Sequence, residues 1–219
     1  MQRTMTTLAM LCLAVAPVAA QQAMKDHDPD KKIAGGGLPA GWMGRADGAN
    51  AKLSDVKFVA AGDGYHVTSG PAAIYWTEKT NMSGAFTATV TIKQTKAPTH
   101  AEAFGVFFAG NKLTAADQTY YYLLVRGDGM FMLNHRAGAE VHKILPWSAD
   151  AAVHKADANG VASNTLTVDA SKPDSVRMKV NGVQVAALPS DANGYANGSL
   201  GVRVNHNLDV DVSAIKITH

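Results

Sequence analysis

Cysteine, glutamate, charge of one sign and long apolar runs are all scarce in this chain, and each shortage removes a class of protein. Of its 219 residues one is a cysteine, Cys12. It falls in a segment read below as cleaved, so the mature chain has no disulfide and no thiol nucleophile. Stability must then come from a core, which about 180 ordered residues supply in a single domain. Lys and Arg number 20 against 18 Asp and Glu, a net charge of +2 without clustering. That balance argues against nucleic acid and anionic membrane as partners. Past the N-terminal segment no apolar run approaches the roughly 18 residues of a membrane-spanning helix. Helical periodicity is missing too, apart from one turn near residues 114–117.

What is present begins with a processing signal. Arg3 is a short basic region, residues 8–15 are an apolar run too short to span a bilayer, and Pro17 to Ala20 supply small residues for cleavage. Residues 1–20 are therefore read as a signal peptide cut after Ala20, leaving Gln21 as the new N-terminus. The expected location is periplasmic or extracellular. A lipoprotein signal at Cys12 is disfavoured by Leu11, where a small residue is wanted. Residues 21–40 read as a flexible leader. Its Asp26-x-Asp28-x-Asp30 start fails as a calcium loop, with Lys31 in place of the required glycine and Gly37 in place of the bidentate glutamate. Residues 41–219 read as one domain.

That domain is organised around residues 175–188. Val176, Met178 and Val180 alternate with Ser175, Arg177 and Lys179, then Asn181-Gly182 interrupts, and Val183 and Val185 alternate with Gln184. Asn-Gly accepts positive φ at both central positions, as a type I′ turn demands, so a two-residue hairpin is expected. The same period of two runs through Phe86, Ala88, Val90 and Ile92. Residues 104–109 are nearly all apolar and should be buried on both sides. About a dozen short strands separated by Gly, Asn, Asp and Pro predict an all-β antiparallel sandwich. Val210 and Val212 differ in parity from Ile215 and Ile217, which predicts a bulge near Ser213-Ala214.

Several of these segments carry a resemblance. Tyr120-Tyr-Tyr-Leu-Leu-Val-Arg126, Asp128-Gly129, Asn164-x-Leu-x-Val168, Val176-x-Met-x-Val-Asn-Gly-x-x-Val185 and Gly198-x-Leu-Gly-Val-Arg203 resemble the concanavalin A-like lectin/glucanase superfamily. The likeness is nearest to its exported bacterial branch with the 3-keto-disaccharide hydrolase-type domain, and it covers residues 86–218. It implies a jelly roll of two curved antiparallel sheets, with relatives that often bind glycans on the concave face.

Catalysis finds little support in the residues. Laminarinase-type members of that superfamily carry Glu-x-Asp-x-x-Glu on one strand, and the three glutamates here, Glu78, Glu102 and Glu140, stand in no such motif. The nearest substitute is Asp209-Val-Asp211, two carboxylates roughly 7 Å apart on one side of a strand, within reach of glycoside chemistry but also ordinary for a solvated face. His206 joins them as a candidate in a hydrolase or lyase reading. There is no Gly-x-Ser-x-Gly elbow. For metal, His135 and His142 face each other across the Ala137-Gly138 turn if the register is right, and His100 with Glu102 is a second pair. No zinc-type spacing accompanies them, and no cofactor is expected.

Glycan binding asks for less: aromatic faces for the apolar side of a sugar, with amide, guanidinium or carboxylate groups for its hydroxyls. Candidates are Tyr75, Trp76, Tyr121, Arg126, Trp147, Arg203 and His206. Arg203 stands between Val202 and Val204, so if the valines enter the core it leaves on the opposite face. The sequence reading is an exported, noncatalytic, lectin-like module that binds a saccharide or another cell-envelope component. The alternative is a carbohydrate-active hydrolase or lyase of the 3-keto-disaccharide hydrolase type.

Overall fold

A computed structural model describes residues 28–190 and 197–219. The expected signal peptide, its cleavage site and the leader as far as His27 lie outside the described residues. Fifteen strands follow in order: β1 (Trp42–Ala46), β2 (Val56–Ala61), β3 (Gly64–Ser69), β4 (Ala73–Met82), β5 (Thr87–Gln94), β6 (Ala103–Asn111), β7 (Thr119–Arg126), β8 (Met130–Ala137), β9 (Glu140–Ala149), β10 (Ala162–Lys172), β11 (Ser175–Val180), β12 (Val183–Pro189), β13 (Gly198–Val204), β14 (Asp209–Ser213) and β15 (Lys216–Thr218). Among the described residues a single 3-10 turn, Leu53–Asp55, is the helical element, and residues 114–117 form turns instead.

The strands make two antiparallel sheets. One runs β1-β4-β13-β6-β7-β8-β9, and the other β12-β11-β10-β5-β14-β3-β2 with β15 also on β5. This is the expected jelly-roll sandwich. Period-two alternation builds it: Ala88, Val90 and Ile92 of β5 enter the core, while Thr89 and Thr91 point outward and bond the hydroxyls of Thr167 and Thr165 at 3.1 and 2.8 Å. Phe58, Tyr75, Phe104, Phe108, Leu123 and Leu133 fill the space between the sheets, each burial contributing about 1.5–3 kcal/mol.

β6 is buried along both faces from Ala103 to Gly110, as its composition predicts. A two-layer sandwich hides only one face of a strand, so something must cover the other. Here a second apolar cluster does so: Ile74, Trp76, Ala103, Phe107, Leu113, Tyr120, Tyr122 and Leu124, on the outer side of the seven-stranded sheet.

The Asn181-Gly182 hairpin forms with φ of +50° and +84°, joining Val180 to Val183. Beyond it the expected alternation breaks. An irregularity between Met178 and Lys179 adds a residue to β12, so Ala186 and Leu188 are buried; Val183, beside the turn and opposite Val180, is 53 % exposed. A bulge reverses side-chain parity. At the C-terminus the parity conflict is resolved by a break between β14 and β15. Val210 and Val212 are buried and Ile215 and Ile217 pack on the same core, while the Ser213 hydroxyl accepts the Thr91 N–H at 2.9 Å.

Edge strands are irregular as well. β9 carries Pro146 within a register shift against β8, and β12 ends on Pro189. Of the expected leader, Asp28 and Pro29 accept Asn207 Nδ2 at 2.9 and 3.0 Å, and Lys31 N donates to Asn207 Oδ1 at 2.8 Å.

Candidate functional site

Antiparallel register sets the outer face of the seven-stranded sheet out in rows. One row runs Arg45, Ile74, Arg203, Gly105, Leu124, Met132. The next runs Met43, Trp76, Gly201, Phe107, Tyr122, Asn134. Gly201 is where this face needs a glycine: a Cβ there would lie 2.6 Å from Phe107 Cε1 and 2.0 Å from the Tyr75 carbonyl oxygen. Its absence lets the Trp76 and Phe107 rings meet edge-on at 6.3 Å.

Val202 and Val204 enter the inter-sheet core, so Arg203 leaves on this outer face, as the alternation predicts. It is not presented to solvent, being 6 % exposed. Its Nη1 donates to Asp47 Oδ1 at 3.0 Å and to the Tyr120 hydroxyl at 3.2 Å, its Nη2 bonds Asp47 Oδ2, and its guanidinium carbon lies 4.8 Å from the Tyr122 ring centroid. Burial alone would raise the Asp47 pKa, but Arg203, with Arg136 and Arg45, more than offsets this and holds it below the usual carboxylate range. Burial pushes Tyr120 up to about 12. The 112–118 loop is pinned over this face by Arg45 Nη1, which donates to Leu113 O at 3.0 Å.

At the end of the first row lies a more open group. Arg126 sits 4.3 Å above the Trp147 ring and is fixed by Asp128, with Nε to Oδ1 at 3.1 Å and Nη2 to Oδ2 at 2.5 Å. Its Nη1 has no partner among the described residues. The β9 irregularity at Pro146 turns the half-buried indole toward Met132 on the outer face. Asn134 donates to the Tyr122 hydroxyl at 3.2 Å, and its Oδ1 is buried without a partner among the described residues. Trp76, Arg126, Trp147 and Arg203 therefore share one face of one sheet.

The other candidates lie elsewhere. Tyr75 is fully buried between the sheets against Phe58, at 5.0 Å; with odd parity in β4 it points into the core and presents nothing to a ligand. Tyr121 faces inward likewise, stacked between Phe108 and His135 at 5.7 and 4.5 Å. His206 lies in the β13–β14 turn, with Nε2 2.7 Å from Glu102 and Nδ1 3.2 Å from Asp30. His135 and His142 do pair in register, their rings 5.6 Å apart, and burial with the His142 charge lowers the His135 pKa. Among the described residues no group of three or more His, Cys, Asp or Glu is placed to hold a metal ion.

Asp209 and Asp211 share the outer face of the other sheet, joined by His66. Its Nδ1 is 2.8 Å from Asp211 and its Nε2 3.4 Å from Asp209. Asp209 also binds Lys96 at 2.9 Å and accepts the Thr68 hydroxyl at 3.1 Å. Burial would raise its pKa, but Lys96, Thr95 and His66 more than offset this and hold it low, opposite to what a general acid needs.

Sequence reasoning missed Asp47, Tyr120, Tyr122 and Asn134. Parity with Arg126 was the available signal for both tyrosines, since even-numbered β7 residues share its face. Asp47, across the sheet in a loop, left none.

Among solved structures, the fold is similar to a Bacteroides ovatus mixed-linkage glucan GH16 protein solved with a G4G4G3G product. The TM-score is 0.57 at 9% identity, over 81% of this chain and 94% of that one. Alginate lyase A1-II′, of polysaccharide lyase family 7, gives 0.51 at 11% identity over 82% and 95%. Sheep galectin-11, solved with glycerol, gives 0.45 at 9% identity over 73% and 100%. No protein-family model matches the sequence, and no curated protein does. The chain has the concanavalin A-like lectin/glucanase fold.

Proposed function

We propose that this is an exported, noncatalytic glycan-binding module. The observation that carries the reading is the Arg126–Trp147 pair on the outer face of the seven-stranded sheet. A guanidinium locked by Asp128 keeps one nitrogen free beside a half-buried indole, a preorganised pairing of apolar ring and hydrogen-bond donor suited to a sugar. The glycan-acting proteins that share this fold add support. A catalytic reading is less favoured, because Asp47 on this face and Asp209 on the other are both held ionised by cations.

Glycan-array screening followed by calorimetry tests the reading. Saccharide binding that weakens about tenfold in Trp147→Ala is expected. Absence of binding to every glycan at millimolar concentration overturns it. Release of reducing sugar, lost in Asp211→Asn, restores the hydrolase reading.

A further inference from the structure

One cleft among the described residues lies away from both sheet faces. It opens at the side of the sandwich, about 600 Å³ in volume, between β1 and β4 on one wall and β3 and the β14–β15 break on the other. Trp42, Met43, Tyr65, Ile215 and Ile217 line it, with Glu78 and Lys79. The volume lies within the roughly 300–1,000 Å³ typical of small-ligand sites.

Two irregularities of the sheets shape this cleft. β4 pairs with β13 at Asn81↔Ser199 and resumes at Trp76↔Gly201, so residues 77–80 arch out of the ladder. The arch is a built feature: the Thr80 hydroxyl accepts the Thr77 N–H at 3.3 Å and donates to the Thr77 carbonyl at 2.9 Å. It carries Glu78 and Lys79 to the cleft. Bulges of this kind re-aim side chains and recur beside binding sites. Of the three glutamates, Glu102 is paired with His206 and Glu140 with His142, whereas Glu78 has no ion pair or hydrogen bond among the described residues. Lys79 has none either. Trp42 on the same wall and Tyr65 on the other meet edge-to-face at 5.0 Å and 73°, giving two ring surfaces at different angles.

We infer that this side cleft is a saccharide subsite, Trp42 and Tyr65 packing the apolar face of a sugar while Glu78 and Lys79 hydrogen-bond its hydroxyls. It rests on the glycan-binding reading and goes beyond it by naming a second site, separate from the Arg126–Trp147 face. An uncommitted carboxylate and ammonium side by side take vicinal hydroxyls, each a donor and an acceptor. The ring surfaces turned to the cleft take the sugar's C–H face.

The test uses the mature protein with cellotetraose, laminaritetraose and maltotetraose, followed by tryptophan fluorescence and calorimetry. Glu78→Gln and Lys79→Gln alter exposed residues of the arch and leave the core intact; each is expected to weaken the best tetrasaccharide about tenfold or more. Trp42→Phe is expected to remove the part of the fluorescence change that Glu78→Gln and Lys79→Gln weaken. Binding unaltered by the two arch substitutions but lost in Trp147→Ala overturns the cleft and leaves the glycan reading standing. Displacement of cleft-bound anilinonaphthalene sulfonate by fatty acid, but by no tetrasaccharide, overturns the ligand class. No binding of any glycan by the unaltered protein removes both proposals together.

Discussion

The Arg203 guanidinium grips both carboxylate oxygens of Asp47 beneath the outer face of the seven-stranded sheet, Nη1 to Oδ1 at 3.0 Å. Asp47 comes from the loop after β1 and Arg203 from β13, 156 residues apart in sequence. Breaking such a pair strands a charge in an environment that cannot solvate it. Asp47→Ala is expected to destabilise the fold by about 3–5 kcal/mol, while the double change Asp47→Leu with Arg203→Met should cost far less. Urea unfolding of the single and double variants checks this.

Acid should loosen the protein through Asp169. Its carboxylate accepts Lys179 Nζ at 2.7 Å and the Ser171 hydroxyl at 2.6 Å. Those hydrogen bonds, Lys179 first, hold its folded pKa far below the ordinary value. A depressed carboxylate contributes stability that is whole above the unfolded pKa of about 4 and is lost as pH falls toward the folded value. Unfolding free energy measured from pH 6 to pH 3 should fall less steeply in Asp169→Asn.

His135 acts in a higher window. Burial, with the His142 charge second, lowers its folded pKa, so the folded protein keeps it neutral while the unfolded chain takes the proton. Stability from this site is complete above the ordinary histidine pKa of about 6.5 and declines as pH drops below it. His135→Phe should flatten the thermal-stability profile between pH 7 and pH 5.

Two glycines should differ sharply. Gly182 has open space around it but φ of +84°, so Gly182→Ala is expected to cost about 1–2 kcal/mol. Gly201 has no room for a Cβ between Tyr75 and Phe107. Gly201→Ala should cost clearly more, measured by chemical denaturation, and should shift the Trp76 fluorescence.

The fold was legible because a sandwich is written in local alternation: β5, β11 and the Asn181-Gly182 turn each state their own conformation. The even burial of β6 could also be read, though not what covers its second side. Alternation sent Arg203 to the outer face correctly and gave no hint that Asp47 waits there. Tyr75 and Tyr121 were chosen by residue type, and odd parity in their strands sends both inward. The side cleft was hidden for a different reason. Its shape comes from the β14–β15 break, which parity announced, and from the arch at residues 77–80, where the period of two fails and local pattern stops informing.

Proline at the far margin of each sheet has a consequence for assembly. Pro146 in β9 and Pro189 in β12 withhold amide donors just where a visiting strand would seek them, and both strands are also out of step with their neighbours. Growth of a continuous ribbon from molecule to molecule along those margins is thereby discouraged.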